Sequence, residues 1–388
     1  MKINQLKISG IGGIKELELK FCPGFNVLCG PNGIGKSTIL KIIANSFASY
    51  STILKRNANY EIGTYSLEYV DVNNKTINRS FTVMEFEPQK QDLNSHVTDE
   101  TSFVMYFRED RSMEYQSIQA IPRDVSNNKY QVGNDLGFGI KGDIKGWFDN
   151  RYLFAATDEG LSKEKKSNFE LAKRCFSILD PNVCFKTVDP TSLDIKVTTL
   201  NGEVYLEYLS AGYKSCLYLL LGLIREIEFR FIGTEYKVTD FDGVILIDEL
   251  DLHLHPIWQA KMVSALKVLF PKAQFITTTH SPSVLQSLRK EEIIPLAQDG
   301  EGNIFVKELV LSEYGLQGWS IEEILRDVME MPETTSELFE ETKKSFDKAM
   351  NNDDNITALK EYELLKKMLH PDSILRRLLE IQIAGIGD

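Results

Sequence analysis

Nine consecutive residues, Gly30-Pro-Asn-Gly-Ile-Gly-Lys-Ser-Thr38, constrain this chain more than any other feature. They match GxxxxGK[ST], and the flanks are those the motif needs. An apolar run, Phe25 to Leu28, precedes it, and a helical pattern of Ile39, Leu40, Ile42, Ile43 and Phe47 follows. Glycines at this spacing let successive backbone N–H groups turn inward and cradle phosphate oxygens, and the helix N-terminus adds its dipole. The pattern predicts a strand–loop–helix unit that binds ATP through Gly30, Asn32, Gly33, Gly35, Lys36, Ser37 and Thr38. Lys36 is expected to reach the β- and γ-phosphates, and the Ser37 hydroxyl to coordinate Mg²⁺.

A second segment completes that chemistry. Val244-Ile-Leu-Ile-Asp248-Glu249 is an apolar strand ending in two adjacent carboxylates, which burial alone does not explain. Asp248 is placed to hold Mg²⁺. Glu249, one residue further, is placed to orient and deprotonate the attacking water. The two segments together predict an ATPase.

The chain around these motifs reads as α/β. Met1 to Ile8 and Ile14 to Phe21 alternate apolar and polar residues about the turn Gly10 to Gly13, as half-buried hairpin strands do. Residues 60 to 108 are β-rich, 160 to 180 have helical spacing, and strands return from Phe185 to Tyr208. From Leu209 helix and buried strand alternate to about residue 311. The tail differs: Ser320 with Glu323 forms a capping box opening a helix with Ile321, Ile324, Leu325 and Val328 on one face. Helical segments follow at Phe339 to Met350, Ile356 to Leu369 and Ser373 to Ile383. The domain reading is therefore a head over 1–317 and a helical region over 318–388.

Composition sets the outer limits. A net charge of −12 argues against a protein that coats nucleic acid broadly. Five cysteines without a CxxC pair disfavour zinc and disulfide frameworks, and fit a reducing cytoplasm. The apolar run Cys216 to Ile224 stops at Arg225, too short to cross a bilayer, and reads as a buried helix with no membrane role.

Leu209-Ser210-Ala-Gly212-Tyr-Lys214, between the two ATP motifs, resembles the LSxG signature of the ABC ATPases. The resemblance implies an ABC-type P-loop NTPase head, a mixed β lobe plus a parallel sheet flanked by helices. It also implies composite ATP sites, in which Ser210 and Gly212 of one protomer face the γ-phosphate held by another, so the chain acts as a dimer or larger assembly. Phe275-Ile-Thr-Thr-Thr-His280 resembles the family's switch strand, with His280 reading the γ-phosphate. Asp251-Leu-His-Leu-His255-Pro256 looks like the D-loop of RecF-like and overcoming-lysogenisation-type ATPases, and unlike that of transporters. The helical stretch at 160–180 is too short for the coiled coil of SMC proteins, so this is a head without an arm. The Q-loop has three candidate locations: Gln89, Gln91, or the strand Phe103 to Phe107 ending in Arg108 and Arg111. Extra residues around Phe229 to Asp242 suggest a family-specific insertion.

The tail, from Gly318 to Pro371-Asp-Ser, is similar to those of bacterial antiphage ATPases, nearest the Septu ATPases, with those of the PARIS system in competition. That resemblance implies a partner nuclease of the HNH family, DNA being reached through the complex. The remaining chain lacks the spacing of Toprim, HNH or PD-(D/E)xK sites, so cutting is assigned to the partner. The alternative is a RecF- or SMC-like repair ATPase that clamps DNA, with Lys163, Lys165, Lys166, Lys173 and Arg174 as basic candidates. Interleaved acids make a solvated helix face the plainer reading of those residues.

Overall fold

The computed structural model describes residues 1–49, 54–90, 94–109, 117–118, 120–124, 128–138, 142–157, 160–331 and 335–385. The chain divides into two units, Met1–Ile324 with Val328–Glu330, and Leu325–Asp327 with Met331–Asp388. Residues 318–324, grouped with the tail on sequence, thus fall in the first unit.

The first unit opens with β1 (Lys2–Ile11) and β2 (Ile14–Lys20), an antiparallel pair with Ile11 opposite Ile14. β1 carries a bulge between Ile3 and Gln5 that resets the alternation, so Ile3, Leu6 and Ile8 are all buried. After β3 (Phe25–Cys29) and α1 (Lys36–Asn45), β4 (Gly63–Val70) pairs with β1 and β5 (Thr76–Val83) with β4. The antiparallel sheet reads β2-β1-β4-β5. One face is apolar and buried, the other polar, as the sequence alternation requires.

β6 (Val104–Phe107) begins the second half of the head. Next come α2 (Lys129–Phe138), α3 (Ile144–Ala155), α4 (Lys163–Leu179), and the small antiparallel sheet β7 (Cys184–Val188), β8 (Ile195–Thr199) and β9 (Gly202–Tyr205). α5 (Ala211–Arg230) contains the Cys216–Ile224 run, and every residue of that run but Tyr218 is buried. No helix among the described residues is long and apolar enough to cross a membrane.

β10 (Val244–Ile247), α6 (Pro256–Leu269), β11 (Gln274–Thr278), α7 (Pro282–Leu285), β12 (Ile293–Gln298) and β13 (Ile304–Val306) finish the head. They complete a six-stranded sheet of order β13-β12-β3-β11-β10-β6, parallel except for β13. β3, β6, β10 and β11 are buried at every residue; β6 and β10 therefore run apolar without alternating, while the polar Asn26 of β3 and Gln274 and Thr278 of β11 are held inside by hydrogen bonds. One core joins the antiparallel lobe to α1 and to one face of this sheet: Leu6, Leu67, Ile39, Ile43, Tyr106, Leu246 and Ile276 belong to it.

The sequence reading does not anticipate α2 and α3. In α3 every residue from Ile144 to Arg151 is buried, including Lys145, Asp149, Asn150 and Arg151. Charge inside the fold erases the 3.6-residue polar stripe by which a helix is recognised.

The second unit holds α9 (Glu337–Asn351), α10 (Asn355–Met368) and α11 (Ile374–Ala384), with a small core of Phe339, Phe346, Tyr362, Leu365 and Leu379. α8 (Ile321–Asp327) precedes them, and its capping box forms: Glu323 N–H donates to Ser320 Oγ (3.1 Å), and Ser320 N–H to Glu323 Oε2 (2.7 Å). Its apolar face is narrower than the spacing predicts. Ile324 and Val328 are buried, whereas Ile321 is 53% exposed.

Candidate active site

The loop between β3 and α1 has the backbone its glycines permit. Gly30, Gly33 and Gly35 all take positive φ (134°, 77° and 97°). At Gly30 a Cβ would also lie 2.3 Å from the Leu296 carbonyl oxygen of β12, so only glycine fits there. Lys36 starts α1 and is buried, its Nζ donating to the carbonyls of Gly30 (2.9 Å) and Pro31 (2.8 Å). Burial lowers its pKa, while Cys29, Asp248, Glu249 and Asp251 act in the opposite direction. Asn32 and Gly33 are exposed at the mouth of the loop, and Ser37 and Thr38 are half-buried on the first turn of α1.

Ser37 Oγ donates to Asp248 Oδ1 across 3.0 Å. The same oxygen accepts from Thr278 Oγ1 at 2.6 Å. β10 and β11 lie in parallel register, so their ends come level, and Asp248 and Thr278 extend from them side by side. Glu249 follows in the left-handed region (φ 49°), its N–H donating to Thr278 Oγ1 at 2.7 Å. A non-glycine residue there costs roughly 1 kcal/mol or more. The threonine holds it in that conformation.

The loop after Glu249 pins the switch residue. Asp251 Oδ1 accepts from the Thr279 hydroxyl and from the His280 N–H (3.1 Å). Burial, followed by the charge of Lys36, lowers the His280 pKa, while Asp251 and Asp248 act in the opposite direction. Ser281 Oγ donates to Gln259 Oε1 of α6, closing the ring of bonds from the other side (2.5 Å). Thr278 and Asp251 are therefore structural members of the site that sequence reasoning did not single out. The threonine run at 277–279, polar residues inside a buried strand end, was the available signal.

Ser210 is the N-cap of α5, accepting from the Tyr213 N–H at 3.3 Å. It is exposed, and among the described residues no hydrogen bond ties Ser210 or Gly212 to residues 30–38. Gly212 instead packs on the loop after Glu249. A Cβ there would sit 2.5 Å from the carbonyl oxygen of His253, itself at φ 61°. Tyr213 and Trp258 pack edge to face beside this contact (5.6 Å). His253 and His255 are exposed, and His255 Nδ1 accepts from Ile257 N–H at the start of α6 (3.4 Å).

Of the Q-loop candidates, Gln91 and Arg111 lie outside the described residues. Gln89 is exposed in a turn after β5, whereas Arg108 directly follows β6, the parallel neighbour of β10. Three of the five basic candidates of α4 are drawn into local pairs: Lys165 with Asp124 (2.6 Å), Lys173 with Glu170 (2.7 Å), and Lys166 with the Thr157 carbonyl (2.9 Å).

With this geometry, the likeness to known proteins can be set out. Residues 25–286 match the family described as "AAA domain, putative AbiEii toxin, Type IV TA system". The chain is 41% identical over 389 residues to Septu protein PtuA of Bacillus thuringiensis, spanning 99% of this chain and 98% of that protein. It is 26% identical over 332 residues to Septu protein PtuA of Bacillus mycoides (strain KBAB4), spanning 83% of this chain and 44% of that protein. Among solved structures, the SMC head domain from Thermotoga maritima aligns with a TM-score of 0.46 at 14% identity, over 80% of this chain and 100% of that one.

Proposed function

Because the chain belongs to the Septu PtuA family of ATPases, we propose that it hydrolyses ATP where the 30–38 loop meets the ends of β10 and β11, and that its nucleotide state controls a partner nuclease. It is an ATPase subunit of antiphage defence. The observation that carries the chemical reading is the convergence of Ser37 and Thr278 on one oxygen of Asp248.

An all-oxygen donor set beside a phosphate cradle suits Mg²⁺, which prefers one or two protein ligands plus phosphate and water. Ser37 and Asp248 would hold the ion, which when bound neutralises charge on the phosphates. Lys36, depressed by burial, regains its full charge preference beside phosphate. Glu249, fixed through its N–H by Thr278, takes the proton of the attacking water. His280, held by Asp251 through its backbone N–H, is placed to donate an N–H to the terminal phosphate. The exposed N-cap at Ser210 offers helix N–H groups to the nucleotide of a second protomer.

Glu249→Gln tests this reading, because the amide keeps the shape and cannot accept the proton. Mg·ATP should remain bound while hydrolysis stops, and the trapped assembly should enlarge in light scattering. In complex with its nuclease partner, the variant should lock the nuclease in the state set by ATP. Wild-type turnover in a folded Glu249→Gln protein would remove Glu249 from the mechanism.

A further inference from the structure

His280 is half-buried and stands between two buried residues, Thr279 and Ser281. Whatever fixes those neighbours fixes the backbone from which the imidazole projects. On one side Asp251 accepts from the Thr279 hydroxyl and from the His280 N–H. On the other side stands Ser281, whose N–H donates to Thr279 Oγ1 (3.0 Å). Ser281 Oγ accepts from the Val284 N–H and so caps α7 (3.3 Å). A helix of four residues is a weak anchor by itself. The same hydroxyl therefore needs a firmer hold, and it donates its proton to Gln259 Oε1 (2.5 Å).

Gln259 lies in the first turn of α6, where side chains lean back toward the helix N-terminus. Its Nε2 accordingly donates to the Leu254 carbonyl (3.0 Å). Leu254 N–H in turn donates to the Asp251 carbonyl (3.0 Å). The bonds close a circuit through Asp251, Leu254, Gln259, Ser281 and Thr279, back to Asp251. Gln259 is its link to a rigid element. Trp258 beside it packs edge to face on Tyr213 of α5 (5.6 Å), and Met262, Val263 and Leu266 seat α6 in the core. An amide carries a donor and an acceptor on one planar group, so it can hold a carbonyl and a hydroxyl at once.

We propose that Gln259 is a positioning residue for ATP hydrolysis, fixing His280 through Ser281 while bracing the loop after Glu249 through Leu254. It touches neither nucleotide nor water. This rests on the reading of His280 above and adds a residue that acts through it. Loss of the amide opens the circuit on the Ser281 side, and His280 is then held from the Asp251 side alone.

The test is steady-state ATPase kinetics on the full chain, with binding of a non-hydrolysable ATP analogue measured beside it. Gln259→Met keeps the length of the side chain and removes both bonds. It should lower kcat about tenfold or more, as a small misplacement of a catalytic group does. KM and analogue affinity should stay within about twofold of wild type, and the thermal midpoint within about 4 °C. Ser281→Ala breaks the same bond from the other side and serves if the methionine variant does not fold; the same loss of kcat is expected. His280→Ala should also lower kcat, and adding Gln259→Met to it should cost less than about twofold more. A merely structural glutamine would give losses that multiply. If His280→Ala turns over at the wild-type rate, the reading of His280 falls and this proposal with it. If His280→Ala is slow, normal kcat in both folded single variants, or multiplying losses in the double variant, overturns the role of Gln259 alone.

Discussion

Removing the Arg151 side chain should cost far more than any surface charge in this protein. Arg151 of α3 is wholly buried, and its Nε donates to Glu228 of α5, also buried, at 2.8 Å. NH1 and NH2 hold both oxygens of Asp124, each at 2.9 Å. Glu228 also accepts from Trp147 Nε1 (2.9 Å) and Asn168 Nδ2 (3.1 Å). Arg151→Ala leaves Glu228 as a buried carboxylate facing neutral donors alone, and breaking a buried pair this way costs about 3–5 kcal/mol. At about 2 °C per kcal/mol in a large domain, the thermal midpoint should fall by about 6–10 °C. Because the network joins α3 and α4 to α5, whose first turn carries Ser210, ATPase activity should also fall. The control is Lys272→Ala, which breaks a pair with Asp240 in which both side chains are half exposed or more, worth about 1 kcal/mol at most. Differential scanning fluorimetry of both variants is the assay. An Arg151→Ala midpoint within 2 °C of the Lys272→Ala one would refute the argument that the buried network welds these helices together.

Three further outcomes follow from the same geometry. Burial, with Lys145 opposing it and neighbouring carboxylates adding to it, raises Asp149 to about 7. The folded state therefore binds this proton more tightly than the unfolded state, and the contribution to stability is full in acid and lost as pH rises from near 4 to 7. Asp149→Asn should flatten that part of the stability–pH curve measured by urea titration, and an unchanged slope would count against it. Gly212→Ala gains about 1 kcal/mol of helix propensity but sets a Cβ 2.5 Å from the His253 carbonyl. It should displace the loop that holds Asp251 and His280, cutting turnover at least tenfold with ADP binding intact. Mixing Ser210→Arg with Lys36→Ala protomers, each inactive alone, should restore part of the ATPase rate if sites are shared between protomers. A lone, monomeric wild-type chain with full activity would contradict that.

Much of this protein is legible in its sequence because the relevant constraints are local. The 30–38 loop needs glycine where φ is positive, and its lysine and serine stand at the start of the helix that follows. The strand ending in Asp248-Glu249 declares itself by an unbroken apolar run, since both its faces are covered. The capping box at Ser320 and Glu323 is likewise a matter of four consecutive residues.

What tertiary structure alone decides is everything that depends on two strands or helices lying level. Asp248 meets Ser37 and Thr278 only because β10 and β11 are in parallel register beside α1. The chain leaving β6 runs beside Asp248 only because β6 pairs with β10, and nothing in the residues around it announces that neighbour. The requirement for glycine at position 212 comes from a carbonyl forty-one residues away, at His253. α3 is hidden from sequence reasoning for a related reason. Its cations Lys145 and Arg151 are inward and are matched by Glu228, Asp124 and Asp194 from other elements. A periodicity argument assumes that charge faces water, and here long-range pairing removes that assumption.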